Sequence, residues 1–352
     1  DNCPYYDSFE RRRKMKKYQV LSLLPLLLLP SCKNEGKDAN LFLYTDNDPF
    51  INSLVSSIND SFLQKGISLR KYVASRKQSL QNNQFVNLLD ENEHKPILLN
   101  IYDRLSASVL IEKAQKEDTP LLFFNREPLL QDMESNDWVK ENVYYVGAYA
   151  EYQGVAQAEI AADYFKDASS FKGSKFDKNN DGKLQVAILR GELSHQDALN
   201  RSKYSIEKLR QLGFDVDLIE VAYCDWEEGK GYDETGKMIL KGDNIELLLS
   251  NNDAMAVGAI RYLKSLMNPD VSFLEQFFPI VGVDGTTEGK KAVEDGYMLG
   301  TVLNDASTQA QILFSLYTSL VDGLEMPTFD DEIIVKGNFY KVKGMKITNK
   351  IN

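Results

Sequence analysis

DKNNDGKLQVAILRGELSHQDALNR, residues Asp177 to Arg201, runs from an acidic loop through an apolar strand into a polar cluster and a helix. Leu184 to Leu189 is an unbroken apolar run bounded by a turn, which reads as a strand buried on both faces. Ala198 to Leu212 follows with helical spacing. His195, Asp197 and Arg201 stand just past the strand's carboxyl end. In a parallel sheet covered by helices, that end is where ligands sit.

The loop itself has metal-ligand spacing. Asp177, Asn179 and Asp181 occupy positions one, three and five, and Gly182 permits the sharp turn at six. Position twelve, where an EF-hand loop carries a bidentate Glu, is Ile188. Asp177, Asn179, Asp181, the Lys183 carbonyl and Gln185 fall short of the about six to eight oxygens that calcium takes. A carboxylate from elsewhere has to complete the shell. An Asn/Asp/Gly-rich surface turn has the same composition, so the loop alone leaves both readings open.

The chain has 352 residues and a formal net charge of -11. That length suits two domains. An acidic chain without a basic stripe is a poor nucleic-acid binder. Two His residues, His94 and His195, leave little room for zinc. Of the three Cys, only Cys224 lies in the body, so no disulfide framework exists. Lys14, Lys16 and Lys17 precede the short apolar run Leu21 to Leu29 and then Leu29-Pro30-Ser31-Cys32. The run is too short and Pro-broken to span a bilayer, and reads as a leader over 1–31. A small residue before Cys is similar to the bacterial lipoprotein box, which makes Cys32 the lipidated residue. Met15 reads as the initiator. Residues 32–40 read as a polar tether.

From Leu41 onward, strands alternate with amphipathic helices, the pattern of parallel sheets with helices on both faces. Strands are expected at 41–44, 97–101, 120–124, 144–146, 186–189, 216–221, 246–250, 280–283 and 301–302. Polar residues gather after them: Asp46 to Asp48, Asn100, His195, Asn252, Asp284 and Asn304.

FFNREP at 123–128, DKNNDGKLQ at 177–185, GELSHQDALNR at 191–201, SNNDAMAVGA at 250–259, GVDG at 282–285 and GTVLNDA at 300–306 carry a family likeness. The chain resembles the periplasmic glucose/galactose-binding proteins that serve ABC sugar importers and chemoreceptors, from Leu41 to about Lys343. The resemblance implies an α/β fold of the type I periplasmic-binding kind: two Rossmann-like lobes, each a parallel sheet flanked by helices, joined by a three-segment hinge. Lobes are expected at 41–119 plus 304–336 and at 120–303 plus 337–352, with crossings near Thr119, Leu303 and Lys336. The resemblance implies that Phe50 and Trp226 sandwich a pyranose. It makes Asp48, Asn100, His195, Asp197, Arg201, Asn252, Asp284 and Asn304 its polar ligands. Aromatic faces suit the C–H faces of a sugar, and carboxylates, amides and guanidinium suit its hydroxyl rim. Glu246 matches the family's remote calcium ligand and completes Asp177, Asn179, Asp181, Lys183 and Gln185 as a structural brace.

The expected function is a lipid-anchored receptor for D-glucose or D-galactose on the periplasmic side. It would be a monomer and would deliver sugar to a permease or signal through a chemoreceptor. Asp48 faces the hydroxyl that separates the two epimers, and a carboxylate accepts from either orientation. Departures are Pro49 between Asp48 and Phe50, an acidic, Gly-rich stretch at 224–237 around Trp226, and a shorter, basic tail after Phe339. Two alternatives stand beside this reading. A glycosidase could use Asp197 and Asp284, but Arg201 is expected to hold Asp197 ionised and unfit as an acid. A sugar-responsive transcription factor needs a DNA-reading helix pair, which the chain does not show before its first strand.

Overall fold

The computed structural model describes residues 37–349 apart from Glu93. The leader, Cys32 and the start of the tether lie outside the described residues. In chain order the strands are β1 (Lys37–Leu43), β2 (Ile67–Val73), β3 (Ile97–Leu99), β4 (Leu121–Phe124), β5 (Val143–Ala148), β6 (Leu184–Arg190), β7 (Val216–Tyr223), β8 (Leu247–Ser250), β9 (Ile280–Asp284), β10 (Gly300–Leu303), β11 (Ile333–Lys336), β12 (Phe339–Val342) and β13 (Met345–Thr348). They form two sheets, ordered β11-β12-β5-β4-β3-β1-β2 and β13-β10-β9-β8-β6-β7. Pairing is parallel except for β11 with β12 and β10 with β13.

Each sheet is buried on both faces, because side chains alternate across a strand. In β1, Leu41 and Leu43 enter one core and Phe42 the other. In β6, Val186 and Ile188 face one core, while Ala187 and Leu189 face its opposite. This explains why the strand read as an unbroken apolar run. The helix Ala306–Asp322 packs with the helix Pro49–Leu63 in the first lobe's core.

The expected lobe boundaries need correction. β4 and β5 belong to the first sheet: Ile97 of β3 pairs with Leu121, and Tyr145 of β5 with Phe339 of β12. The first lobe therefore runs from β1 through β5 and takes in β11 and β12, and the second runs from the helix Ala150–Phe165 through β10 and takes in β13. The crossings lie at Tyr149, at 304–305 and at 343–344 rather than near Thr119 and Lys336; only the middle one stands where expected. At the last crossing, a Cβ on Gly344 would lie 2.7 Å from Val302 Cγ1 and 2.8 Å from the Leu303 carbonyl, so two chain segments touch only because the residue has no side chain. The tether also ends earlier than expected. β1 starts at Lys37, Ala39 is buried, and Asn40 Nδ2 donates to Asn92 Oδ1 at 2.7 Å. β2 went unread because this edge strand is mostly half-exposed and polar.

Candidate functional site

The carboxyl ends of both sheets face one narrow cavity lined by buried side chains. The first lobe contributes Tyr44 after β1, Asp48 and Phe50 at a helix start, and Asn125 after β4. The second lobe and the middle crossing contribute His195, Asp197, Arg201, Trp226, Asn252, Asp284 and Asn304.

Helix starts place much of this set. Asp48 is the N-cap of Pro49–Leu63: its Oδ1 accepts from Ile51 N at 3.0 Å, and its Oδ2 accepts from the Tyr44 hydroxyl at 2.8 Å. Pro49 sits at the helix's first position, where its fixed φ suits the turn and its missing N–H costs nothing. Asn252 caps Asp253–Leu266 through Met255 N at 2.9 Å, and its amide donates to the Trp226 carbonyl at 3.3 Å. His195 caps Gln196–Gln211, with Nδ1 accepting from Asp197 N at 3.2 Å, so the ring's proton is on Nε2. Burial, then the nearby guanidinium groups of Arg126, Arg201 and Arg104, push the His195 pKa well below its usual value, so the ring is neutral.

Arg201 is the hub. Its Nε donates to Gln153 Oε1 at 2.8 Å and its Nη1 to the Asn251 carbonyl at 2.7 Å. Asp197 lies 3.5 Å away one helical turn back, and Asp284 lies 3.7 Å away on the other side. Burial pushes the Asp197 carboxyl up from 3.8 to about 6 despite Arg201, the opposite of the direction expected from its neighbour alone. Burial likewise raises Asp284 well above the usual carboxylate range, and Arg201 only partly opposes it. Asp284 adopts φ +112, and its Oδ1 accepts from Asn304 Nδ2 at 3.2 Å.

Trp226 enters the cavity from a loop in which both Asp225 and Trp226 have left-handed backbone, φ 49 and 68. Its indole packs edge-on against His195 at 4.9 Å between ring centroids. Any Cβ on Gly191 would fall inside the indole, so Gly191 is what admits the ring. The acidic stretch after it folds into the helix Glu228–Lys241 without displacing the tryptophan.

Asn100 is a correction. It does not line the cavity and is fully buried. Its amide donates to the Phe124 carbonyl and Asn125 Oδ1, both at 3.1 Å, and its Oδ1 accepts from Tyr44 N at 3.4 Å. It therefore holds the two lining residues that sequence reasoning missed. Asn125 lay in the FFNREP segment, and its left-handed φ of 62 is a conformation Asn tolerates. Tyr44 was read simply as the end of a core strand.

Polar contacts bridge the lobes beside the cavity. Arg126 pairs with Glu192 at 2.7 Å, Arg76 with Glu227 at 3.3 Å, and Arg104 donates to Gln196 at 3.1 Å.

The acidic loop forms one hydrogen-bonded network with Glu246. Asp177 Oδ2 accepts from Gly173 N and Gly182 N at 2.8 and 3.1 Å. Asp181 Oδ2 accepts from Asn179 Nδ2 at 3.0 Å and from Gln185 Nε2 at 2.9 Å, while Lys183 N donates to Asp181 Oδ1 at 2.8 Å. Glu246 is buried and reaches the loop through Lys178 N and Gln185 N at 2.6 and 3.1 Å. Burial raises its pKa, and the neighbouring Asp177 charge adds to this. Among the described residues no three acidic, His or Cys side chains already stand as a metal cluster. The donor set is all oxygen, with amides and a carbonyl beside the carboxylates, which fits a hard cation and not zinc.

A periplasmic binding protein domain model matches residues 40–325. The D-galactose/methyl-galactoside binding periplasmic protein of Haemophilus influenzae is 29% identical over 316 residues, 88% of this chain and 90% of that protein. The ribose import binding protein of Salmonella typhimurium is 24% identical over 292 residues, covering 82% and 86%. An ABC transporter solute-binding protein from Actinobacillus succinogenes, solved with bound D-allose, superposes with a TM-score of 0.73 at 18% identity, covering 89% of this chain and 98% of that one.

Proposed function

Because the chain belongs to the periplasmic binding protein family, we propose that it captures D-glucose or D-galactose in the interlobe cavity and delivers it to an ABC importer. Family members are solute-binding transport receptors and not enzymes, so the glycosidase alternative on Asp197 and Asp284 falls.

The observation that carries the sugar reading is the composition of one cavity. Phe50 from one lobe and Trp226 from the other supply apolar surface, and three carboxylates, three amides, one guanidinium and one neutral imidazole surround them. Asp48 is pinned by Tyr44 and Ile51, yet each carboxylate oxygen keeps a free lone pair, so it accepts from a hydroxyl in either epimeric orientation. Buried donors and acceptors left unmatched by other ligands supply the discrimination.

The acidic loop's role in this reading is structural. Calcium would be held by Asp177, Asn179, Asp181, the Lys183 carbonyl, Gln185 and Glu246, and it would neutralise a buried carboxylate while bracing the second lobe. Lipidation of Cys32 would tether a monomeric receptor to the periplasmic face of a membrane. Mass spectrometry of the membrane-extracted protein, and release of a Cys32→Ser variant, test the anchor. Sugar uptake compared with swarming in a deletion strain separates transport from chemoreceptor signalling.

The deciding experiment is calorimetric titration with both sugars in calcium. Micromolar or tighter binding, about -8 kcal/mol or more favourable, is expected. Absence of heat with both would overturn the glucose/galactose reading.

A further inference from the structure

A second and roomier cavity, open to solvent, lies against the first. Phe50, Asp284 and Asn304 line both spaces. The groove runs between the lobes. Pro49, Ser53 and Ser57 of one helix form one wall, and Thr286 and Thr287 at the start of the helix Thr287–Glu294 form the other. Leu303 and Ser307 close it along the middle crossing.

We propose that this groove is a second sugar subsite, so that the receptor takes a hexopyranose bearing a further sugar ring on the side facing Asp284 and Asn304. The proposal rests on the sugar reading of the buried cavity and extends its ligand class. Three features of the groove support it. Its space exceeds that of the buried cavity, so a second ring has room. Ser53, Thr287 and Ser307 put hydroxyls on its walls, groups that both donate and accept as a sugar's hydroxyl rim requires, whereas Thr286 and Ser57 already hold Asp253 and the Ser53 carbonyl. Pro49 and Leu303 add apolar surface for a C–H face. Asp284 and Asn304, bonded to each other at 3.2 Å, line both spaces, so a ring hydroxyl held by this pair lies at the boundary with the groove. The charged lining residues Glu288, Asp305 and Lys290 include both signs, a mixture that gives an ionic ligand of either sign a repulsive neighbour.

The test titrates the mature chain with D-galactose, D-glucose and a panel of disaccharides whose second ring is attached in turn at each hydroxyl. It then repeats the titrations with Ser53→Trp and Ser307→Trp. Both positions are exposed and line only the outer groove. At least one linkage should bind the wild type within tenfold of the monosaccharide. Each Trp variant should keep monosaccharide affinity within twofold and weaken that disaccharide at least tenfold. Binding of monosaccharides with no disaccharide bound would overturn the subsite and leave the receptor reading standing. Disaccharide binding unaffected by both tryptophans would also overturn it. Loss of monosaccharide binding in the wild type would instead strike the receptor reading itself.

Discussion

Replacing Asp284 with Ala should abolish tight sugar binding while leaving the fold intact. The carboxylate ends β9 inside the cavity and is buried. It touches Asn304 at 3.2 Å and Arg201 at 3.7 Å, so hydroxyls placed there meet an acceptor held between two donors. A hydrogen bond to this buried carboxyl, with the penalty of leaving its donor unmatched, contributes about 1–3 kcal/mol. Losing one or two of them weakens binding by about 3 kcal/mol, roughly 100-fold in Kd. The folding term is small for three reasons. The burial that raises the Asp284 pKa is a cost that Ala removes. Arg201 keeps Gln153, the Asn251 carbonyl and Asp197 as partners. The φ of +112 strains Asp and Ala alike, so that cost cancels. Stability should change by about 1 kcal/mol or less. Asp284→Asn keeps one acceptor for Asn304 but replaces the other carboxyl oxygen with an amide donor, and should lose roughly tenfold in affinity. Calorimetry gives the affinities and a thermal melt gives the stability. Unchanged affinity in the Ala variant, or loss of a cooperative melt, would refute the argument.

Three further outcomes are expected. Asp197 has its folded pKa raised from 3.8 to about 6, so the folded state holds the extra proton. Its contribution to stability is full below the unfolded value and is lost as pH rises through about 6. The stability of the wild type relative to Asp197→Asn, followed by denaturant melts of sugar-free protein, should therefore fall by up to about 3 kcal/mol between acid and neutral pH; a flat difference would show that burial does not dominate there. Chelation should lower the melting temperature and calcium restore it, with Glu246→Gln abolishing the response; an unresponsive wild type would mean that the loop is only a turn. Gly191→Ala drives a methyl group into the Trp226 indole and should shift tryptophan fluorescence and weaken sugar binding at least tenfold; an unchanged spectrum and affinity would show that the ring does not depend on that glycine.

The chain's apolar runs, strand-end polar residues and ordered motifs were enough to read two parallel sheets and most of the cavity. Phe50, His195, Asp197, Arg201, Trp226, Asn252, Asp284 and Asn304 all line it, as does Asp48. Asp48, His195, Asn252, Asp284 and Asn304 were legible because a strand buried on both faces leaves an unbroken apolar run and the polar residues that follow it lie at the sheet's carboxyl end; Phe50 and Trp226 as a sandwich, and Asp197 and Arg201 as ligands, came from the family resemblance. What remained hidden depends on partners distant in sequence. An apolar run does not say which sheet it joins, so only the pairing of Leu121–Phe124 with β3 and of Val143–Ala148 with β12 assigns these strands to the first lobe. Two asparagines after adjacent strands look alike in sequence, yet backbone direction turns Asn125 into the cavity and Asn100 behind it. Arg201 beside Asp197 in sequence argued for an ionised carboxylate; the depth at which the fold buries the pair reverses the sign, because desolvation sums over every surrounding atom and a neighbour list does not.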